Sequence, residues 1–330
     1  MYVAKSNGDT MRQVSRSERS NRWHFFAYIS PWLIGFMAFT IVPLFMSLLY
    51  SLTDVKMATV NSSPLNFIGF QNYVYIFTED KDFQQAILNT FIYAFVKVGF
   101  IVILSVLLAL LLNANIIGKK VFRVLIYLPA VIPVVSVSLL WKLIFTGGEF
   151  NVANYFLSYL GLAPVNFFGN GVSAMGTIIF VGIWSGLGPT MLIVLAAIQG
   201  VSSELLEASE LDGANGFQRL MHIIIPCISK ALVFVILTSL ISSLQAYAEV
   251  KLLTEGGPGN STMTMSLLIV SNAFKTLGKK TLGYACAQGW VVFLLTFGFA
   301  LIYVVLSTKE NRTKKVKVKT DAKQKSRYTY

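Results

Sequence analysis

The sequence predicts an all-α polytopic membrane protein with six transmembrane helices. Three observations carry this. The 330 residues are 55% hydrophobic and only 13% charged, where a soluble domain carries about 25% charged residues. Apolar runs recur along the chain at roughly the twenty residues that a helix needs to cross a bilayer. The net charge of +12 is uneven: nine of the 27 Lys and Arg lie in Lys309–Arg327 and five in Lys5–Arg22. Such basic flanks hold the cytoplasmic ends of a membrane protein in place, a better account of them than nucleic-acid binding. The expected organisation is a basic cytoplasmic segment over 1–24, a membrane domain over 25–308 and a basic cytoplasmic tail over 309–330.

The first span is expected at Ile29–Ser51, with Pro31 in its first turn and Pro43 kinking its far end. The run is too long for a signal-peptide core, so it reads as an uncleaved span. Asp54–Ala86 follows outside. The second span is Ile87–Leu112, with Lys97 inside it, facing protein or water or snorkelling to the interface. After a loop carrying Lys119, Lys120 and Arg123 comes the third span, Val124–Phe145, with Pro129 and Pro133 as distortions. Thr146–Val172 is an outer loop whose one charge is Glu149. The fourth span, Met175–Ile198, is interrupted by Gly186, Gly188 and Pro189. The fifth is Cys227–Tyr247. Within the outer segment Glu249–Ala287, Ser266–Phe274 reads as a partly inserted helix, and the sixth span is Gln288–Leu306. Lys and Arg counts place both termini in the cytoplasm, although Arg219 alone supports the loop after the fourth span and Lys251, Lys275, Lys279 and Lys280 lie on the outer side.

The stretch 204–226 between the fourth and fifth spans is more than a connection. Ser203 caps a short helix with Glu204 and Glu207 in its first turns, where the helix dipole favours acids. Gly213 ends it, because glycine takes φ > 0 cheaply. Asn215 and Gln218 have capping-box spacing, and Phe217, Leu220, Met221 and Ile224 give the next helix one apolar face, ended by Pro226. Ala208, Ser209 and Ala214 are small and let another surface approach.

These residues carry a resemblance. Glu207-Ala208-Ser209, then Asp212-Gly213-Ala214, then Ile223 and Pro226, resemble the "EAA" coupling loop of the membrane permease subunits of binding-protein-dependent ABC importers, with Ser209 where that family usually has Ala. Leu252–Pro258 with Ser261-Thr262 resembles the "LTGGGP…ST" motif of its carbohydrate-uptake members, and Asn66–Tyr73 resembles their "NFVGLDNY" segment. The first span is similar too, so the resemblance covers Pro31 to about Leu306. It implies the type I ABC importer permease fold. It also implies a second homologous permease (a heterodimer), two cytoplasmic ATP-binding subunits docked on the coupling loops, and an extracytoplasmic substrate-binding protein. In such an importer ATP and Mg are bound by the partner ATPase and no cofactor by this chain, which sits in a bacterial-type plasma (inner) membrane. The docking residues implied are Glu207, Ala208, Ser209, Asp212, Gly213, Ala214 and Pro226.

Other chemistries lack their residues. No GxxxxGK[ST], HExxH or GxSxG occurs, and Cys227 and Cys286 have no metal-ligand spacing. Substrate would bind where spans are broken and polar groups meet a cavity. Gly186 and Thr190 in the fourth span, and Ser243, Gln245 and Tyr247 at the end of the fifth, offer hydroxyl, amide and aromatic groups suited to a sugar. The family's pathway positions fall on Gly186, Thr190, Leu244, Gln245 and Tyr247. The competing account is that the serines pack helix on helix and Tyr247 anchors at the interface. A stand-alone secondary transporter or channel is the alternative function, and its mark would be acids or a proton relay within spans. A multipass enzyme would need a catalytic cluster. Within the importer class the cargo alternatives are an oligosaccharide, a uronic-acid sugar or a glycerol phosphodiester, and the outer lysines point to an acidic ligand or an acidic binding protein.

Overall fold

The computed structural model describes residues 24–60, 64–147, 151–274 and 281–325; among them it is helical apart from loops and one antiparallel bridge, Thr53 with Phe67. The basic N-terminal segment up to residue 23, Glu149, Lys275, Lys279 and Lys280 lie outside the described residues.

Helix α1 (His24–Ser51) starts before the predicted span, so Pro31 lies well inside it rather than in its first turn. A π turn, Met37–Ile41, precedes Pro43, and the widened hydrogen-bond register there takes up the distortion expected of the proline. The motif 66–73 fastens the end of α1. Asn72 Nδ2 donates to Ser51 O and Thr53 O, both at 2.9 Å, and Ser51 Oγ lies 2.8 Å from Tyr73 Oη. Helix α2 (Gln71–Thr78) leads into α3 (Lys81–Asn113), which starts at the N-cap Asp80, whose carboxylate accepts from Phe83 N at 3.3 Å. At 33 residues α3 is roughly 50 Å long and overshoots the hydrocarbon core, so its first turns stand outside it.

The predicted third span is not one helix. It consists of α4 (Lys119–Val131) and α5 (Val134–Phe145), bent by 98° at the break. Pro133 lacks an N–H and forces Ile132 into an extended conformation, φ −76° and ψ 133°, while Pro129 is carried inside α4. A short α6 (Val152–Tyr159) precedes α7 (Gly171–Gln199), which is continuous: the interruption expected at Gly186, Gly188 and Pro189 does not occur. Thr190 Oγ1 lies 3.0 Å from Gly186 O and 2.9 Å from Leu187 O, reinforcing the backbone beside the proline. Gly188 has a packing reason. A Cβ there would lie 2.6 Å from Ile126 O and 2.7 Å from Tyr127 Cα, so only glycine lets α4 cross α7 this closely.

After α8 (Ser203–Leu211), α9 runs from Gly216 to Leu244. It begins well before the predicted Cys227. Pro226 does not end a helix; it follows a π turn, Leu220–Ile224, and α9 continues through it. Helices α10 (Ala248–Leu253) and α11 (Met265–Ala273) occupy the outer segment, α11 matching the predicted inserted helix within a residue. Helix α12 covers Leu282–Lys325, its apolar part being Leu282–Ile302. Among the described residues five helices are long and apolar enough to cross a membrane, and the bent pair α4–α5 makes six if it is counted as one span.

Helix α3 is the centre, packed on α7, α9 and α11, while α1 packs on α12. Three apolar clusters fill the bundle, one around Phe83, Leu244, Met265 and Tyr284, one around Tyr93, Val137, Ile178 and Val250, and one around Ala109, Met191, Val194 and Val235.

Candidate functional site

The loop between α7 and α9 is rigid for local reasons. Gly213 has φ +77°, Gly213 N donates to Glu210 O at 3.0 Å, and Ala214 N donates to Ser209 O at 2.9 Å. That pair of bonds is the Schellman ending, in which a left-handed residue closes a helix by satisfying its last carbonyls. Two residues on, Asn215 and Gln218 form the predicted capping box, with bonds of 2.8 Å in both directions. Glu210 pairs with Arg219 across the corner. Helix α8 starts at Ser203, with Ser202 at the N-cap and making no side-chain cap bond there, so the cap expected of Ser203 is absent.

The faces divide clearly. Glu207, Ala208 and Asp212 are exposed. Ser209 is buried, with Oγ donating to Leu206 O at 2.6 Å, so its small side chain serves the inner face rather than an approaching surface. Ala214 is half-buried. Leu211 is 89% exposed, and Leu205, Phe217 and Met221 are also exposed. Four large apolar side chains thus stand uncovered on a short polar loop, a composition typical of a contact surface.

The pathway candidates do not form one surface. Gln245 caps the end of α9 and is exposed, as is Tyr247. Leu244 is fully buried in the cluster with Phe83 and Tyr284, and Ser243 is buried with an Oγ that has no hydrogen-bond partner. Thr190 bonds Ser105 of α3 at 2.8 Å and acts as a tie between helices. Gly186 lines a cavity of about 160 Å³ together with Lys97, Ser138, Ser185, Gly182 and Glu249.

That cavity is where the structure adds most to the sequence. Lys97 faces protein. Its ammonium donates to Tyr93 Oη at 2.9 Å, Tyr93 Oη donates to Glu249 Oε1 at 2.9 Å, and the Lys97–Glu249 charges are 3.9 Å apart. The two charged side chains are 12% and 20% exposed. A charge inside a bundle needs a partner; here α3 finds it on α10. Gly182 makes room, since a Cβ there would sit 2.7 Å from Tyr93 Oη. The fully buried Ser138 Oγ has no partner and adds another polar atom to the cavity wall. A lysine in a span and an acid at a span boundary are both visible in the sequence; Tyr93 and Ser138 give no such signal.

The segment after α10 is held by α3 as well. Asn89 Nδ2 donates to Asn260 O at 2.9 Å and Met263 O at 3.0 Å, and Met265 N donates to Thr90 Oγ1 at 2.9 Å. Within the motif Thr254 and Thr262 hydroxyls are 2.8 Å apart, and a Cβ on Gly256, which has φ +90°, would lie 2.6 Å from Met263 Cε.

Comparison with known proteins agrees with this architecture. Residues 101–309 match the family model described as "Binding-protein-dependent transport system inner membrane component". The chain is 32% identical over 300 residues to the "Probable ABC transporter permease protein YesP" of Bacillus subtilis, covering 90% of this chain and 94% of that protein. It is 31% identical over 289 residues to the "Multiple sugar-binding transport system permease protein MsmF" of Streptococcus mutans, covering 87% and 96%. Among solved structures, a chain of a bacterial ABC transporter involved in the import of the acidic polysaccharide alginate superposes with a TM-score of 0.73 at 24% identity, covering 89% of this chain and 98% of that chain.

Proposed function

The chain belongs to the family of binding-protein-dependent transport system inner membrane components, and from that premise we propose that it is the permease subunit of an ATP-driven importer of a sugar or oligosaccharide. The observation that carries the reading is the braced helix α8, set between two spans and presenting Leu211 outward beside Phe217 at the start of α9, in a chain of this family. A cytoplasmic ATP-binding subunit docks there, on Glu207, Ala208, Asp212 and Gly213, while Ser209, Ala214 and Pro226 shape the loop from behind. Two such subunits bind ATP and Mg; this chain supplies pathway and coupling. A second homologous permease completes the pathway as a heterodimer, and an extracytoplasmic binding protein delivers the cargo. Both termini are cytoplasmic.

ATP-driven closure of the partner subunits moves the coupling helices, and the spans exchange between inward- and outward-facing arrangements. Within the pathway, Gln245 and Tyr247 meet the cargo, and Gly186 lines the neighbouring Lys97–Glu249 cavity; Leu244 and Ser243, buried beside Gln245, anchor the end of α9. Carbohydrate cargo is supported by the amide and aromatic pair exposed at the end of α9 and by the sugar-transport relatives. The test is uptake of labelled sugar by the reconstituted complex. Losing a hydrogen bond to one hydroxyl costs about 0.5–1.5 kcal/mol, so Gln245→Ala and Tyr247→Ala each slow uptake by about 2- to 10-fold with assembly intact. Wild-type uptake by the double variant would place the pathway elsewhere.

A further inference from the structure

We propose that the cleft between the end of α7, the start of α8 and the first turns of α9 is a binding site for the phosphate headgroup of an anionic glycerophospholipid. The cleft has a volume of about 560 Å³. Val201, Leu205 and Ile223 give it an apolar floor, while Ser202, His222, Ser229 and Lys230 supply its polar groups. None of its lining residues is acidic. An apolar floor beneath a basic and hydroxyl rim matches the boundary between acyl chain and phosphate, and not a purely aqueous ligand.

The helix geometry directs the charge there. His222, Pro226 and Lys230 recur every four residues and form one stripe of α9, and all three line the cleft. Side chains on a helix lean toward its N-terminus. The stem of Lys230 therefore runs from the apolar part of α9 back over Pro226 toward His222. Lys230 lies inside the predicted span, past Cys227, so this lean is how its ammonium reaches headgroup level. His222 Nδ1 donates to Gln218 O at 3.1 Å, which leaves Nε2 as the ring atom available to a ligand. The positive-inside orientation places the cleft at the cytoplasmic leaflet, whose surface is anionic and whose lipids fill basic pockets between helices. The inference does not depend on what the protein carries.

The test uses the full chain in its complex, purified in mild detergent, with phosphatidylglycerol, phosphatidylcholine or inorganic phosphate as probe. Native mass spectrometry reads retained lipid, and hydrogen exchange reads residues 199–205 and 222–230. Phosphatidylglycerol is expected to be retained about tenfold better than phosphatidylcholine and to slow exchange in both segments. His222→Gln with Lys230→Gln should remove that preference. Lys230→Arg should keep it, and so should Lys119→Gln with Lys120→Gln on the other cytoplasmic loop. Equal retention of the two lipids by the wild type, or an undiminished preference in the double variant, overturns the site. Slowing by inorganic phosphate alone to the level of phosphatidylglycerol makes the ligand a free anion and overturns its assignment to lipid.

Discussion

Replacing Lys97 by Met tests the buried charge pair directly. The substitution keeps the length of the stem and removes the ammonium, leaving Glu249, 20% exposed, with Tyr93 as its donor at 2.9 Å. Removing one member of a buried pair costs about 3–5 kcal/mol, mostly because the other charge stays desolvated. The cavity of about 160 Å³ beside Glu249 admits water, which puts the cost at the lower end, roughly 3 kcal/mol. In a chain of this size each kcal/mol lowers the melting temperature by about 2 °C, so Lys97→Met should fall by about 6 °C. The double variant Lys97→Met with Glu249→Leu removes both charges, and its loss should be less than about 2 °C, because a hydrophobic pair of similar volume is often neutral. The assay is thermal unfolding of the purified complex, with the single Glu249→Leu completing the cycle. Additive losses in the cycle would refute the reasoning. They would mean that Lys97 and Glu249 are each solvated independently and that α10 is not tied to α3 through them.

Two further predictions follow from glycines. Gly213 has φ +77° and open space where a Cβ would stand, so Gly213→Val suffers about 1–2 kcal/mol of backbone strain and should abolish uptake while the chain still inserts, whereas Gly213→Asn, which tolerates this region, should transport. Uptake lost as fully with Asn as with Val would make bulk at the docked surface the cause instead of conformation. Gly188→Ala drives a Cβ to 2.6 Å from Ile126 O, and since backbone cannot yield like a side chain, separation of α4 from α7 should cost about 1–3 kcal/mol, read as a lower melting temperature, while Gly176→Ala, with nothing nearby, should leave it unchanged.

The spans were legible because the bilayer sets the length of an apolar run, and α3, α7 and α12 lie where composition puts them. Their distortions were less so. Pro133 and Pro189 look alike in sequence, yet one breaks its helix by 98° and the other is carried inside α7. The difference lies in tertiary support: α7 is packed on both sides of Pro189, while Ile132 and Pro133 sit at a free corner. The corner at Gly213 was readable because its chemistry is local, a left-handed residue followed by a capping box. The partner of Lys97 was not, since Glu249 comes from 152 positions away through a fold that no spacing rule encodes. Gln245 and Leu244 are neighbours with opposite surroundings because α9 ends between them, leaving Leu244 in the core and Gln245 exposed.

The bend between α4 and α5 looks like a joint, but its two arms are fastened to one straight member. Helix α7 holds α4 through the contact at Gly188 and holds α5 through its aromatic rings, Trp141 lying 5.2 Å from Phe180 and 5.3 Å from Trp184. Two arms meeting at a corner and both pinned to a third form a truss, whose angle changes only if a pin slides. The pins are a backbone contact and a set of packed rings, neither of which slides by small steps. Helix α8 hangs from one end of that truss, three residues beyond α7. If α8 docks a partner as proposed, any displacement of it enters α7 first, and α4 and α5 are joined to α7 by these two contacts.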